Sequence, residues 1–582
     1  MIAPTSAMSF LQSVDLLQSA WSQNVHRVRR EELFIADTKI AEVALQLRRR
    51  MNALLPIHSL LSEDILQIIF EYVVFSARHE PILCDVNGVR TSTGGSLRDL
   101  IAVTHVCHLW RDLAISRPAF WTHIDDRNGD SLSAVLERSG DLSLSLCCGP
   151  RGIADRMAKL LRQSERRLHR LDLYLAIHKK AVPLSLIKNY AQTLECLTVK
   201  GYAAMPSRFP NAAYPCLKAL SLSPSLVLRP QALDLPQLTH LHLTGNRLNI
   251  SRVQYQVPLW QLLSRTPVLE HLQLVEFDVQ TVPRHSAESP IIVLPRLRSL
   301  TCLGSDLRVG LLILEVLEFP CDTIVRLADM EYPNADDAFP SSVASRSFME
   351  SFERMEFEAD EEILHWHLVF EGTHSGLLLD VSHHMPDIFR NHSGPPKWFR
   401  EGLLAHVALQ HIRELHVSGR DPDFVVSLMH RMPQLRTLRI LERAKPHEWP
   451  ANHILLAALC PAIAHTDGTV LCPEMEALSI QAPSIAVLDL APSIIAMLQA
   501  RISANHPISH VAICTDFLDS SWEEEGEQDT VLGTCNSIGR LVPTLEVVED
   551  GRLCEMTDPD VVQGIWKVDG AEKFWSTEFG PW

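Results

Sequence analysis

The phrase Leu238-Thr239-His240-Leu241-His242-Leu243-Thr244-Gly245-Asn246-Arg247-Leu248 constrains the fold more than any other stretch, because its first three leucines recur along the chain. Copies stand at Leu168, Leu171 and Leu173; at Leu194, Leu197 and Val199; at Leu217, Leu220 and Leu222; and at Leu269, Leu272 and Leu274, with Leu297 and Leu300 continuing the series. The first apolar residues of successive copies lie 26, 23, 21, 31 and 28 positions apart (168, 194, 217, 238, 269, 297). Within each copy the alternation puts the apolar side chains on one side of a short strand and the intervening residues on the other. No such strand buries its apolar side alone, so neighbouring copies must stack.

The pattern blurs between Asp322 and Arg400, where Phe352, Met355, Phe357, Ile363, Trp366, Leu368 and Phe370 read as strand alternation and Pro386, Pro395 and Pro396 mark a loop. It returns at Ile412-Leu415-Val417, Leu435-Leu438-Ile440 and Met475-Leu478-Ile480, more faintly near Val511-Ile513 and Leu545-Val547. The clearest copy matches LxxLxLxxNxL at every fixed position and so resembles a leucine-rich repeat. That resemblance implies an irregular α/β leucine-rich-repeat solenoid over residues 125–550 with a degenerate middle at 322–400. Leu184–Tyr190 and Leu259–Ser264 are expected to be helical returns, and Pro215, Pro236, Pro267 and Pro295 to end the helix before each copy. Two separate arrays are the alternative to one.

In that geometry the outward strand positions include His240, His242, His271, Gln273, Glu414, His416, Thr437 and Arg439, which are nominated to bind a target protein. A face with several histidines is expected to bind differently at pH 6 and pH 8. The tail at 551–582, with Trp566, Trp575 and Trp582, is expected to cap the last repeat, and Glu523–Glu527 to form an exposed acidic loop.

The N-terminus reads differently. From Ser9 to Leu54 there is no proline or glycine, and Leu33, Ile40, Leu47 and Leu54 recur every seven residues with Ala36 and Val43 between. This heptad stripe predicts a long helix over residues 1–54, able to pair with a second chain or to lie against the segment after it. Arg27, Arg29, Arg30 and Arg48–Arg50 alternate with Glu31, Glu32 and Glu42 and form a solvated face.

Next comes Leu61-Ser62-Glu63-Asp64-Ile65-Leu66-Gln67-Ile68-Ile69-Phe70, answered by Val106-Cys107-His108-Leu109-Trp110-Arg111-Asp112-Leu113-Ala114 and by Pro118-Ala119-Phe120-Trp121. Ser62 is a good N-cap, and Glu63 and Asp64 favour the positive end of the helix dipole. Ile65, Leu66, Ile68, Ile69, Phe70, Tyr72, Val73 and Val74 are apolar almost all round, more than one helix face needs to cover a small core, so another surface must take the remainder.

Together the two blocks resemble an F-box over residues 55–124, with an inserted loop at 76–96. Ser62 departs from the family's usual Leu-Pro; a Leu-Pro pair stands at Leu55-Pro56, and Asn52 to Leu61 is similar to the lead-in of many fungal F-box proteins. The resemblance implies docking on the Skp adaptor of a cullin-based ubiquitin ligase through Leu61, Ser62, Ile65, Leu66, Ile69, Phe70, Val106, Trp110 and Trp121. The expected fold is thus a mainly α N-terminus, a long helix plus a three-helix F-box, followed by the solenoid. The expected function is substrate recognition within the ligase, against the alternative of a non-catalytic leucine-rich scaffold with no ubiquitin role.

Composition narrows the classes. Of the net charge of -17, none arises through Ile124, where 12 Lys+Arg meet 12 Asp+Glu; the remaining 41 (53 minus 12) basic residues face 58 (70 minus 12) acidic ones. This argues against nucleic acid as a ligand of the larger part, since phosphate binding draws on clustered Lys and Arg. No P-loop, GxSxG, HExxH or GxGxxG after a strand occurs, so neither an enzyme nor a cofactor is expected. His365 and His367, with His383 and His384 near them, permit a metal but are read as ordinary strand histidines. Thirteen cysteines without repeated CxxC spacing are expected to be reduced. With no leader and no apolar run long enough for a membrane span, a cytoplasmic or nuclear place is expected.

Overall fold

The computed structural model describes residues 5–24, 29–75, 97–125, 132–148, 167–174, 184–200, 207–208, 210, 212–222, 226–227, 234–245, 259–277, 291–331, 344–360, 365–382, 398–418, 421–441, 450–460, 470–516, 527–549, 566, 568–571 and 573–574. The expected loop at 76–96, Glu523 to Gly526, His383 and His384, the prolines at 386, 395 and 396, and Trp575 and Trp582 lie outside these. The described residues form two compact units, one running from the N-terminus to His123 and resuming up to Leu142, the other holding Ile124 and everything from Ser143 onward.

In the smaller unit the helices are α1 (Thr5–Asn24), α2 (Arg30–Ala53), α3 (Pro56–Leu60), α4 (Glu63–Phe75), α5 (Leu97–Thr104) and α6 (His108–Ile115), then a 3-10 turn at Pro118–Trp121. Ser62 Oγ accepts a long 3.4 Å hydrogen bond from Ile65 N at the start of α4, the N-cap role its sequence position suggests. Leu66, Phe70 and Val74 recur every four residues and form one buried stripe of α4. Leu100, Val103, Leu113, Phe120 and Trp121 are likewise buried. Trp121 Nε1 donates to the Ala114 carbonyl at 2.8 Å, and the Arg138 guanidinium stacks 4.4 Å above its ring. α2 is a single helix with no buried residue; of its heptad positions Ile40, Val43 and Leu47 are exposed.

The larger unit is built on strands. These are β1 (His123–Asp125), β2 (Leu144–Cys148), β3 (Leu168–Tyr174), β4 (Cys196–Lys200), β5 (Ser207–Arg208), β6 (Ala219–Leu222), β7 (Leu226–Val227), β8 (His240–Thr244), β9 (His271–Val275), β10 (Ile292–Val293) and β11 (Ser299–Leu303). They continue with β12 (Leu317–Glu318), β13 (Ile324–Glu331), β14 (Arg354–Asp360), β15 (His365–Glu371), β16 (Gly376–Ser382), β17 (Glu414–Ser418), β18 (Thr437–Leu441), β19 (Ala477–Pro483), β20 (His510–Asp516) and β21 (Thr544–Glu549). β5 pairs with β7 and β10 with β12; the rest form one 17-stranded sheet.

Pairing runs parallel in the order β2, β3, β4, β6, β8, β9, β11, β13, β16. There the direction reverses, since β16 with β15 and β15 with β14 are antiparallel. Parallel pairing resumes from β14 through β17, β18, β19 and β20 to β21. Register aligns Leu171, Leu197, Leu220, Leu241, Leu272, Leu300 and Val325 in one row and Leu173, Val199, Leu222, Leu243, Leu274, Cys302 and Leu327 in another. Both rows are buried, as the period of two requires.

This architecture corrects the expected fold class. The chain is a strand-rich α/β protein organised by one mixed, mostly parallel sheet, not a mainly helical N-terminus followed by a leucine-rich solenoid. The leucine phrases do specify strands, but their connections are not equivalent: among the described residues they include a 3-10 segment at Leu184–Tyr190, a short helix at Leu259–Leu263, longer ones at Leu307–Val316, Pro422–His430 and Pro450–Ala458, and a 20-residue helix at Ser484–Ser503. The blurred middle is no decayed copy either, for β14, β15 and β16 there make an antiparallel meander that carries the sheet across.

The prolines also act otherwise than expected. Leu217 N bonds Tyr214 O, Leu238 N bonds Leu235 O, Leu269 N bonds Thr266 O and Leu297 N bonds Leu294 O. Pro215, Pro236, Pro267 and Pro295 each occupy the second position of such a four-residue turn, where their fixed φ is preset, and each turn delivers the following leucine into its strand. Pro433 and Pro473 repeat the device, with Leu435 N on Met432 O and Met475 N on Cys472 O.

Candidate protein-binding surfaces

The nine residues nominated for an adaptor separate by burial. Leu66, Phe70 and Trp121 are inside the smaller unit's own core and present nothing to a partner. Trp110 is half-buried and held internally, its ring 4.9 Å from Phe70 and its Nε1 donating at 2.9 Å to His58 Nε2. His58 Nδ1 faces the Asn52 carbonyl at 2.5 Å, so the neutral tautomer with its proton on Nδ1 satisfies both contacts and pins α3 to α6. Leu61 and Ile69 are half-buried and Ser62 is exposed. Ile65 and Val106 are open, at 43% and 57% exposure.

Three residues outside the nominated set, Ile68, Tyr72 and Val73, complete a surface. Ile68 is 63% and Tyr72 73% exposed, and Val73 also faces solvent. With Ile65 and Ile69 they fall at i, i+3, i+4, i+7 and i+8, a second apolar stripe rotated roughly 130° about α4 from the buried one, at about 100° per residue. The signal was in the sequence: a helix apolar on two sides has one side left over once its own core is filled. The polar side between is anchored by Arg117, which donates to Gln67 Oε1 at 2.6 Å and pairs with Glu71 at 2.8 Å.

The eight residues nominated for a target all lie on the strand face opposite the leucine rows. His240, His242, His271 and His416 are nevertheless buried, while Gln273, Glu414, Thr437 and Arg439 are half-exposed. His240 Nε2 donates to the Gly570 carbonyl at 2.8 Å and its ring meets Phe574 edge-on at 4.8 Å. His271 Nδ1 bonds Ser299 Oγ and His242 Nδ1 bonds Ser221 Oγ, at 2.8 and 2.7 Å.

Burial, the largest influence on each, lowers the pKa of His240, His242 and His271; Lys200 adds to it at His242, and His240 and Arg298 at His271, which falls to about 3. Burial thus favours the neutral form of all three.

Glu414, His416 and Arg439 sit at one end of an ion network. His416 Nε2 bonds Glu414 at 2.7 Å, and Arg439 pairs with the same carboxylate oxygen at 3.0 Å. The hydrogen bond from His416 is the main reason the Glu414 pKa lies below the usual value; burial opposes it. Fully buried Glu356 meets Arg354 and, at 3.4 Å, His416; Arg354 reaches on to Glu371 at 2.8 Å.

His365 and His367 both turn to Asp380. Burial would raise that carboxyl's pKa, but the two histidines more than offset it and hold it well below the carboxylate range. Among the described residues no group of three or more His, Cys, Asp or Glu side chains is arranged to hold a metal, and no helix is long and apolar enough to cross a membrane.

The tail behaves unexpectedly. Its described residues lie not at the end of the last strand but across the outward face of the sheet's first half. Trp566 Nε1 donates to Glu371 Oε1 at 2.9 Å, Arg298 donates to the Asp569 carbonyl at 2.9 Å, and Arg170 to the Phe574 carbonyl at 3.0 Å. Sequence offered only the tryptophans as a hint, because a contact between residues 404 apart leaves no local signature. No family model, no curated protein and no solved structure matches this chain.

Proposed function

We propose that the chain is a non-catalytic receptor subunit of a Skp, cullin and F-box type ubiquitin ligase, acting in the cytoplasm or nucleus. The smaller unit holds the Skp-type adaptor, and the outward sheet face of the larger unit holds a protein target. One observation carries the reading: α4 fills its own core with Leu66, Phe70 and Val74 and still exposes Ile65, Ile68, Tyr72 and Val73 as a complete second stripe. A contiguous apolar side left exposed once a helix has filled its own core marks a surface for a partner.

The motif from Leu61 to Phe70 with its answering block at Val106 to Trp121 supplies the identity of that partner by resemblance to the F-box. Delivery needs no catalytic residue of its own, since holding a target lysine beside a charged ubiquitin carrier raises its effective concentration. Ile65→Glu with Ile68→Glu should abolish co-purification with the Skp-type adaptor. Both positions are already solvated, so the melting temperature should not move; unchanged recovery would reject the reading.

A second reading, a scaffold without a ubiquitin role that self-associates, is favoured by Phe34, Ile35, Ile40, Val43 and Leu47, all exposed on α2. Light scattering separates the two: a stable homodimer that ignores the adaptor supports the scaffold.

A further inference from the structure

The segment Trp566-Lys567-Val568-Asp569-Gly570-Ala571-Glu572-Lys573-Phe574 carries two aromatic residues eight positions apart, with charged residues between. Each aromatic lands on a place shaped for it. Trp566 is buried against Ile324, Ala328, Val369 and Leu378 of β13, β15 and β16. Gly376 forms the floor there, and a Cβ on it would come within 2.8 Å of the indole, so a larger residue would fill the seat. Phe574 packs on Cys196 and Ala219, small side chains on β4 and β6.

Between β13 and β6 lie four strand spacings of about 4.8 Å, roughly 19 Å. Eight residues reach at most about 29 Å, and the slack is taken up by a turn in which Ala571 N bonds Val568 O and Lys573 N bonds Gly570 O. Gly570 has φ +88, the left-handed region that favours glycine.

The chemistry of the contacts is that of a ligand in a groove. The sheet's Arg170, Arg298 and His240 each take a backbone carbonyl of the segment, a mode indifferent to its sequence. The aromatics, the indole bond to Glu371 and the turn glycine supply selectivity. Among the described residues the segment joins no strand ladder, and Asp569, Gly570 and Lys573 remain exposed, while the leucine rows that hold the sheet lie on its other side. A piece attached in this way opens at lower free-energy cost than the strands beneath it.

We infer that the outward face from β3 to β16 is a groove for a peptide bearing a tryptophan, a turn glycine four residues on and a phenylalanine four beyond that, and that the chain's own C-terminal segment occupies it in cis. A target peptide of this class binds by displacing the segment, which makes the segment an internal competitor at an effective concentration in the millimolar range. This deepens the proposed role of the sheet face as the target-holding surface and rests on it.

The test uses the full chain and a fluorescent synthetic peptide of residues 564–576. A Trp566→Ala, Phe574→Ala chain should bind the peptide at least tenfold more tightly than the unaltered chain and regain melting temperature on binding it. The same peptide with both aromatics changed to Ala should bind neither chain. Equal or absent binding to both chains overturns the inference.

Should the double variant not fold, hydrogen exchange on the unaltered chain decides: amides of residues 566–574 exchanging at least a hundredfold faster than those of β9 and β11 support displacement, and equal rates overturn it. Adaptor recovery measured on the same samples keeps the two proposals apart. Failure of the peptide arm with recovery intact strikes this inference alone; loss of recovery with the peptide arm intact strikes the ligase assignment alone.

Discussion

Arg501 is fully buried in the helix Ser484–Ser503 and has no carboxylate partner among the described residues. Its guanidinium donates to three backbone carbonyls instead: Leu471 at 3.0 Å, Cys472 at 2.9 Å and His506 at 3.2 Å. Burial lowers its pKa, although arginine stays charged at any ordinary pH. Replacement by Met keeps much of the volume and removes all three donors. The Cys472 carbonyl would retain its turn bond from Met475 N, and the half-exposed His506 is open to water, so the buried Leu471 carbonyl suffers most.

One stranded buried carbonyl costs about 1–3 kcal/mol and loss of a charge-assisted bond about 1.5 kcal/mol or more, so a total near 3 kcal/mol follows. The turn also holds Cys472 at φ +48, a strained value for a non-glycine residue, and Arg501 is what fastens it. Because a chain of two units need not unfold in one step, the assay is local hydrogen exchange over β19 and β20, read in Arg501→Met. About 3 kcal/mol corresponds to roughly a hundredfold faster opening. Less than a threefold change would refute the claim that these bonds hold the region, and Arg501→Lys should fall between the two because one ammonium cannot span all three acceptors.

Leu241→Ala, at the centre of a buried row, should destabilise the sheet by about 2–5 kcal/mol in chemical denaturation, against under about 0.5 kcal/mol for exposed Ile68→Ala. Phe70→Ala should lower stability of the smaller unit by about 3–5 kcal/mol and lose adaptor binding only through unfolding, which circular dichroism will distinguish from the clean binding loss at Ile68. For His240, His242 and His271 the folded pKa lies below the unfolded value of about 6.5, so their contribution is fully present above that pH and is lost as pH falls toward the folded values, about 3 for His271. Melts from pH 7 to pH 4 should show stability falling by up to about 1.4 kcal/mol per pH unit for each histidine, and little change between pH 7 and pH 8.

How much of this was written in the sequence depends on the range of the interaction. The leucine rows were legible because side-chain period and register are both local: Leu171, Leu197, Leu220 and Leu241 had to share a side whatever connected them. So was the surplus apolar side of α4, although the division between core and surface was not: Leu66 and Ile65 are neighbours of the same chemistry, and only the packing of α5 and α6 decides which is hidden.

Three things were illegible for physical reasons. Proline in a helix-ending position and proline in a turn leading into a strand use the same fixed φ, so Pro236 alone cannot tell which it serves. His240 and His271 read as open ligand contacts because outward strand positions usually are; a segment three hundred residues away closes over them. The alternation from Phe352 to Phe370 marks β14 and β15 as strands, but neither β16 nor the reversal of direction is legible, since alternation carries no direction.

The central claim is that α4's outer stripe seats a Skp-type adaptor. Isothermal titration of the full chain with purified adaptor, repeated on Ile65→Ala, Ile68→Ala, tests it most directly. Ile65 and Ile68 are 43% and 63% exposed. Burying that exposed part should be worth roughly 2 kcal/mol in total, so the account predicts a measurable one-to-one complex weakened about thirtyfold in the variant, with both proteins melting alike. No heat of binding with the unaltered chain, or equal affinity for both chains, would contradict it.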